Sequence, residues 1–393
     1  MATIKYKELR KRYELDGAEK TVRHLSEAIQ SKELRPEDFS LRDLAEGLIP
    51  DGHLWVRELD PRSGRDASAV TEALDGVDVT AFSNITGKII SARIMESYEQ
   101  ETFALSKLID TIPSRFETER IAGITPIVGD ALEVAPGMPY PNLGFSEDYI
   151  DTPRTTKRGL IVSVTKEAIF FDRTHMILSR AAEVGEILGL NKEKRIIGTV
   201  LGLGQKYNWK GRPLDVYYPA SATSPPWVNV VDDNELVDWR NVDKVEDLFG
   251  SMTDPTTKEP ILIDASTVLI MPQKKQTAAQ VFQPHSVMYA TPDQTVMGTF
   301  RNPYARHNVV ASRLAYQELL KANVPAAKAS LYWFMGDFRK AFGYMENWPI
   351  TVTQSPFQSE ADFSQDIVVR FKASERGAVT VLDPRYIVQS IVP

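Results

Sequence analysis

The side chains that could do chemistry are few, and their spacing narrows that chemistry further. Five histidines, His24, His53, His175, His285 and His307, are dispersed along the chain with no pair at i, i+4. An imidazole metal site needs several ligands on one face or loop, so each reads as a surface or hydrogen-bonded histidine. There is no cysteine, which excludes a disulfide framework, thiolate zinc, iron–sulfur clusters and a cysteine nucleophile. Asp232-Asp233-Asn234-Glu235 resembles a cation ligand set but lacks the alternating ligands and central glycine of a calcium loop. It reads as a solvated turn. Asp337, Glu346, Asp362 and Asp366 could supply a carboxylate pair for proton transfer. They read equally well as edge charges that keep a strand-rich tail from unwanted pairing.

Phosphate chemistry finds no better footing. Gly87-Lys88 lacks the upstream glycine of a phosphate-cradling loop, and Gly202-Leu203-Gly204 follows a helical pattern without a third glycine. No G-x-S-x-G nucleophile turn is present. Aromatic residues do not alternate with basic ones, so a stacking platform for nucleic acid is not indicated. The expectation is a protein without catalytic residues, cofactor or metal.

Composition sets the scale. The 393 residues are 42% hydrophobic and 25% charged, ample for a large core and suggesting two to three domains. The 46 basic and 53 acidic side chains leave a net charge of −7, so the chain as a whole should not be drawn to a phosphate backbone. No run approaches 18 apolar residues, and Met1–Arg12 has no apolar signal segment; a soluble, cytosolic, membrane-free protein is expected.

The elements that would position these side chains emerge from periodicity. The first 70 residues hold 13 basic and 14 acidic groups and read as short amphipathic helices, one capped by Thr21 and one by Ser40 with Asp43 in its first turn. Ile90, Ile94, Tyr98, Leu105 and Leu108 predict a helix over about 84–109. Arg115–Pro126 and Lys157–Ile169 read as strands. Gly129–Pro153 between them, with four prolines and three glycines, is too long for a turn inside a compact domain. A two-stranded arm with a projecting tip is the economical picture, and a lone hairpin needs a neighbouring surface. A helix over about 172–203 comes next, in which Gly185, Gly189 and Gly198 either permit a bend or admit another backbone. Beyond it, Val242, Val245, Leu248, Phe249 and Met252 outline a helix. Ile261–Ile263 and Thr267–Met271 read as strands, Thr277–Phe282 and 311–323 as helices, and the tail from Leu331 alternates as strands. The class is α+β.

This order of elements resembles the HK97-type major capsid protein of tailed phages, specifically the Mu-like head subunit. Glu133-Val-Ala-Pro-Gly-Met-Pro-Tyr-Pro141 is similar to the tip of that family's extended E-loop, and Leu160-Ile-Val-Ser-Val-Thr-Lys-Glu-Ala-Ile169 to its returning strand. Trp239–Pro260, then Ile261–Pro272, resemble the axial domain, and Trp333–Phe338, Phe363–Phe371 and Asp383-Pro-Arg385 the closing strands. The resemblance implies a helical N-terminal arm (1–114), an E-loop hairpin (115–170), a spine helix of the peripheral domain (171–203), an axial domain (204–340) and a β-rich peripheral tail (341–393). It implies pentamers and hexamers of this one chain closing an icosahedral head around double-stranded DNA, assembled in the host cytoplasm. Portal, scaffolding and decoration proteins would be partners, with packaged DNA near but not specifically bound. Pro136, Met138, Tyr140, Pro141, Leu143 and Phe145 are the expected contacts of the arm with a neighbouring subunit. Lys157 and Lys166 lack identifiable asparagine and glutamate partners, so no isopeptide cross-link is expected. An encapsulin-like shell with protein cargo would share the fold, whereas a soluble hydrolase or binding protein is the reading from a different class.

Overall fold

The computed structural model describes residues 39–48, 52–58, 76–122, 149–253, 260–284, 286–290, 297–355 and 366–392, with isolated positions before residue 39. Its helices are α1 (Leu41–Leu48), α2 (Gly52–Glu58), α3 (Gly76–Tyr98), α4 (Lys166–Phe170), α5 (Thr174–Val200), α6 (Trp239–Ser251), α7 (Lys275–Phe282), α8 (Arg313–Lys321), α9 (Ala326–Ala329) and α10 (Phe338–Ala341). Its strands are β1 (Asp110–Pro113), β2 (Arg120–Ala122), β3 (Tyr149–Asp151), β4 (Thr156–Thr165), β5 (Tyr207–Trp209), β6 (Arg212–Leu214), β7 (Val230–Asp232) and β8 (Thr267–Ile270). They continue with β9 (Ser286–Ala290), β10 (Met297–Arg301), β11 (Asn308–Ala311), β12 (Trp333–Gly336), β13 (Phe342–Gln354), β14 (Ile367–Val381) and β15 (Ile387–Ile391). The sheets run β1-β13-β14-β4, β10-β9, β11-β8-β12-β15-β7 and β2-β3-β5-β6. The class is α+β, as the sequence predicts.

Two compact units divide the chain, each from non-contiguous segments. The first comprises Met1–Phe103, Lys157–Asn191 and Trp348–Arg376; the second comprises Ala104–Thr156, Lys192–Asn347 and Gly377–Pro393. The blocks expected from the sequence are contiguous, whereas α5, β13 and β14 each supply residues to both units. A change of period marks where an element ends, but not where a long element passes from one core to the next.

The core of the first unit gathers Leu44, Phe82, Ile85, Ile90 and Ile94 from α1 and α3 with Ile177, Ala181 and Leu188 from α5, against Val162, Val164, Val369 and Phe371 of the sheet. Gly185 and Gly189 explain the tight pairing of α3 with α5. A Cβ on Gly185 would lie 2.2 Å from the Ile94 carbonyl oxygen, and one on Gly189 would lie 2.7 Å from the Phe103 ring. Of the two roles open to these glycines, they serve close approach; α5 runs unbroken through Gly189. The N-termini of α1 and α5 share one polar knot. Ser40 Oγ donates to Asp172 Oδ1 at 3.0 Å, and Thr174 Oγ1 donates to the same oxygen at 2.8 Å. Thr174 Oγ1 in turn accepts the Leu41 N–H at 2.8 Å, and Asp43 N–H donates to Ser40 Oγ. The predicted Ser40 cap therefore also ties α1 to the long helix.

The second unit has two cores. One joins Ile196, Ile197 and Val200 to Leu105, Phe334, Phe342 and Val379. The other packs Val242, Val245 and Phe249 of α6 on Val268, Ile270, Trp333 and Val388. Asp238 caps α6 in a reciprocal box with Asn241, which satisfies N-terminal N–H groups the helix leaves open.

Several elements depart from expectation. The helix predicted over about 84–109 ends at Tyr98, because Leu105 and Ile109 belong to a different core and the apolar period continues across the break by coincidence. Ile261–Ile263 is not a strand; Ile261 N–H instead donates to Met252 O at 3.1 Å after a bridge between Thr253 and Pro260. The strand expected to return from the arm, Lys157–Ile169, is β4 plus α4. It lies beside β14 with Val162 and Val164 in the first core, not beside β2. Thr152 and Pro153 stand before it, and β3 takes the pairing role.

Gly185→Val should lower the unfolding free energy by about 1–3 kcal/mol through overpacking. Gly198→Ala, where a Cβ meets nothing within 4 Å, should gain about 0.5–1 kcal/mol through helix propensity. Calorimetry of both variants checks the pair, and equal effects would refute the close-approach argument.

Candidate assembly surfaces

Because the residues favour contact over chemistry, the candidate site is a surface. Its first part is the root of the predicted arm, in the second unit. β2 and β3 pair antiparallel with Arg120 opposite Asp151, Ile121 opposite Ile150 and Ala122 opposite Tyr149. Ile150 is buried and also pairs with Trp209 of β5. Arg120 Nε donates to Asp151 Oδ1 at 3.0 Å while its guanidinium lies 4.7 Å from the centre of the Tyr149 ring. Behind the strands, Thr152 Oγ1 accepts the Glu119 N–H at 2.8 Å, and Thr152 N–H returns a bond to Glu119 O. Asn347 Nδ2 donates to the carbonyls of Ser114 and Phe116 at 3.0 and 2.9 Å. Both ends of segment 123–148 are thus held side by side. Pro136, Met138, Tyr140, Pro141, Leu143 and Phe145 lie outside the described residues.

Further large apolar side chains stand exposed. In the second unit Leu262 is 89% exposed, with Phe116, Val237 and Trp239 also outward. Val237 and Trp239, with Val281, Pro303 and Tyr304, line a cavity of about 350 Å³. Tyr304 Oη donates to Asp243 at its edge. Partial burial, then the charges of Asp247, Glu246 and Asp238, raise the Asp243 carboxyl above the ordinary carboxylate value. In the first unit Phe171, Ile161, Ile187 and Met176 face outward.

Two polar anchors hold the second unit's loops, and neither is obvious from sequence. Glu193 on α5 is 1% exposed, and its two carboxylate oxygens accept the N–H groups of Leu105 and Ser106 at 2.8 and 2.9 Å. Burial raises its pKa, outweighing those two bonds, which act in the opposite direction. Asn234, read from sequence as part of a solvated turn, is fully buried. Its Nδ2 donates to Asn241 O and Ser390 Oγ, its Oδ1 accepts from Asn241 Nδ2, and its carbonyl accepts the Trp333 indole N–H at 2.7 Å. Only the flanking Asp232 and Asp233 are exposed as expected, Asp233 in the left-handed region at φ 51°. Four consecutive polar residues give no hint that one of them turns inward; a buried asparagine is visible only once its partners from distant segments converge.

The other candidates resolve separately. Asp337 caps α10 and pairs with Lys340, Glu346 approaches Lys192 at 4.0 Å, and Asp366 pairs with Lys166 at 3.6 Å. Asp362 lies outside the described residues. His307 is buried, with Nδ1 2.9 Å from Tyr304 O; His175 is exposed and His285 lies outside the described side chains. Among the described residues no group of three or more His, Asp or Glu could hold a metal ion, and no helix is long and apolar enough to cross a membrane.

A family model described as phage capsid protein matches residues 149–390. The chain belongs to this phage capsid family. Similar solved structures include the capsid of an empty GTA particle, at 14% identity and a TM-score of 0.40 over 75% of this chain and 90% of that one. Gordonia phage Cozz matches at 13% identity and 0.40, covering 74% and 86% of the two chains. An encapsulin complex from Synechococcus elongatus matches at 12% and 0.41, covering 74% and 87%. No curated protein matches the sequence.

Replacing Glu193 with Gln puts an amide NH₂ where one backbone N–H needs an acceptor, and should cost about 1–3 kcal/mol near pH 5. With a folded-state pKa raised above 4.5, the carboxyl's contribution is full below the unfolded value and falls as pH rises through the folded one. The stability gap between wild type and Glu193→Gln, measured by denaturant titration from pH 4.5 to 7.5, should therefore narrow with rising pH. A widening gap would mean that the two N–H bonds dominate.

Proposed function

We propose that this capsid protein is the major shell subunit of an icosahedral phage head of the HK97 type, built as pentamers and hexamers around double-stranded DNA. The observation that carries this reading is the family match over 149–390 together with an arm root that holds both ends of 123–148 side by side. Residues 123–148 would cross to a neighbouring subunit, where Met138, Tyr140, Leu143 and Phe145 bury apolar surface at about 25 cal/mol per Å². The second unit, with α6 and the five-stranded sheet, corresponds to the axial body, and the first unit to the peripheral body. Each subunit is then held by several modest contacts at once, which makes a closed shell far more stable than any pair. The protein's work is thus assembly geometry rather than turnover, and its place is the virion.

Portal, scaffolding and decoration proteins are partners this reading admits; within the charged residues 1–70, α1 and α2 bury Leu41, Leu44 and Val56 in the first unit's own core rather than reaching toward neighbouring copies. The net charge of −7 suits a wall against which DNA must be packed and from which it must leave.

The arm is tested by replacing residues 129–144 with a short Gly-Ser linker, which leaves β2 and β3 intact. Electron microscopy of the purified protein should show capsomers without closed shells, and Tyr140→Asp with Phe145→Asp should reduce particle yield in the same direction. Closed shells at wild-type yield would refute the arm's role in assembly.

A further inference from the structure

In the second unit, the start of α6 and the turn after β10 build an aromatic cavity. Asp238 caps α6 in its box with Asn241, which fixes Val237 and Trp239 on the outside of the helix start, both exposed. A second wall is held by Asn302, which is buried and bonds in two directions. Its Oδ1 accepts the Tyr304 N–H at 3.0 Å, and its Nδ2 donates to Val281 O at 2.8 Å. The turn carrying Pro303 and Tyr304 is thereby tied to the end of α7. Trp239, Val281, Pro303 and Tyr304 line about 350 Å³, and Asp238 and Asp243 are the carboxylates among the lining residues. That volume lies at the lower end of small-molecule sites, which begin at about 300 Å³.

The polar groups of these walls differ in what they have left to offer. Asn302 uses its amide within the fold, whereas Asp243 of α6 accepts the Tyr304 hydroxyl on Oδ1. That bond seats a carboxylate beside an aromatic ring and leaves Oδ2 as an acceptor. Partial burial, then the like charges of Asp247, Glu246 and Asp238, raise the Asp243 pKa. The Arg240 guanidinium lies 5.6 Å from the centre of the Trp239 ring but does not line the cavity. Arg306 stands 3.9 Å from Glu246. An indole and a phenol beside a carboxylate attract a cation through ring face and charge together. Val281 and Pro303 require that the cation carry an apolar body. An anion would meet the same acids with repulsion, and a neutral apolar molecule would desolvate Asp243 without pairing it.

We propose that this cavity binds a small organic cation, an amine or guanidine on an apolar body, with its charged head on Asp243 and its body against Trp239 and Tyr304. The inference goes beyond the shell reading and does not depend on it, because the cavity is built within one chain. A charge-assisted bond of this kind makes the cation about ten- to a hundredfold tighter than its uncharged counterpart.

The test is calorimetric titration of the full-length protein with phenethylamine, phenethyl alcohol and phenylacetate, three probes that share a body and differ in charge. The amine should bind at one site per chain, about tenfold or more tightly than the alcohol, and phenylacetate should not bind. Asp243→Asn keeps an oxygen for the Tyr304 hydroxyl and should bring the amine down to the alcohol's affinity without moving the thermal midpoint. Trp239→Ala should weaken both ligands. Gln280→Lys, at an exposed position of the lining, sets a fixed ammonium at the cavity and should abolish amine binding; it decides the matter if Asp243→Asn unfolds the chain. Absent amine binding, equal affinity for amine and alcohol, or undiminished amine binding in the folded variants would overturn the proposal. Tighter binding of acetyl-arginine amide than of phenethylamine would overturn the small-molecule assignment in favour of a basic side chain of a partner protein.

Discussion

The first unit depends on one close approach. The Ile94 carbonyl of α3 sits where any side chain at Gly185 would have to be, and the Phe103 ring does the same at Gly189. Only glycine on α5 permits that spacing, because a Cβ at 2.2 Å from an oxygen is sterically forbidden. With the two helices in contact, Phe82, Ile85 and Ile89 of α3 become fully buried, and Tyr98 reaches Glu375 of β14. The same packing fixes which face of β14 is core, and therefore which face carries Arg370, Lys372 and Arg376 outward. The knot of Ser40, Asp172 and Thr174 then attaches α1 to the start of α5, so a short helix that could not stand alone gains a fixed place.

The second unit is organised by buried polar groups as much as by apolar ones. Glu193 caps the turn at Leu105 and Ser106, Asn234 joins the end of β7 to α6, β15 and Trp333, and Asn229 links Val216, Tyr218 and Pro384 through its side-chain amide. Satisfied bonds of this kind contribute modestly on their own, but leaving any partner unpaired in a buried site costs more. They fix loops whose sequences carry no regular period.

Much of the element order was legible along the chain. The stripe of Ile177, Ala181, Val184 and Leu188 marks α5; Val242, Val245 and Phe249 mark α6; and the alternation through 367–381 marks β14. These are local signals, set by a period of 3.6 or 2 and read without knowing any partner. Of the segment read as a projecting tip, 129–153, Tyr149–Asp151 is strand β3, and 129–148 lies outside the described residues. The same local logic failed where a period ran across a true boundary, as between Tyr98 and Leu105, and where strand pairing had to be guessed. β4 alternates as a good hairpin partner for β2 would, yet pairs elsewhere.

What the chain alone determined was therefore composition, periodicity and exclusion: no cysteine chemistry, no phosphate loop, no clustered histidines, an α+β order of elements and an acidic segment rich in glycine and proline. Tertiary structure decided which strand meets which, that Asn234 is buried while Asp233 is not, and that Gly185 and Gly189 on α5 serve approach rather than bending. The reason is the same in each case. Side-chain period is a property of consecutive residues, whereas burial, pairing and shared charge are relations between segments far apart in sequence, and they exist only once the chain has folded.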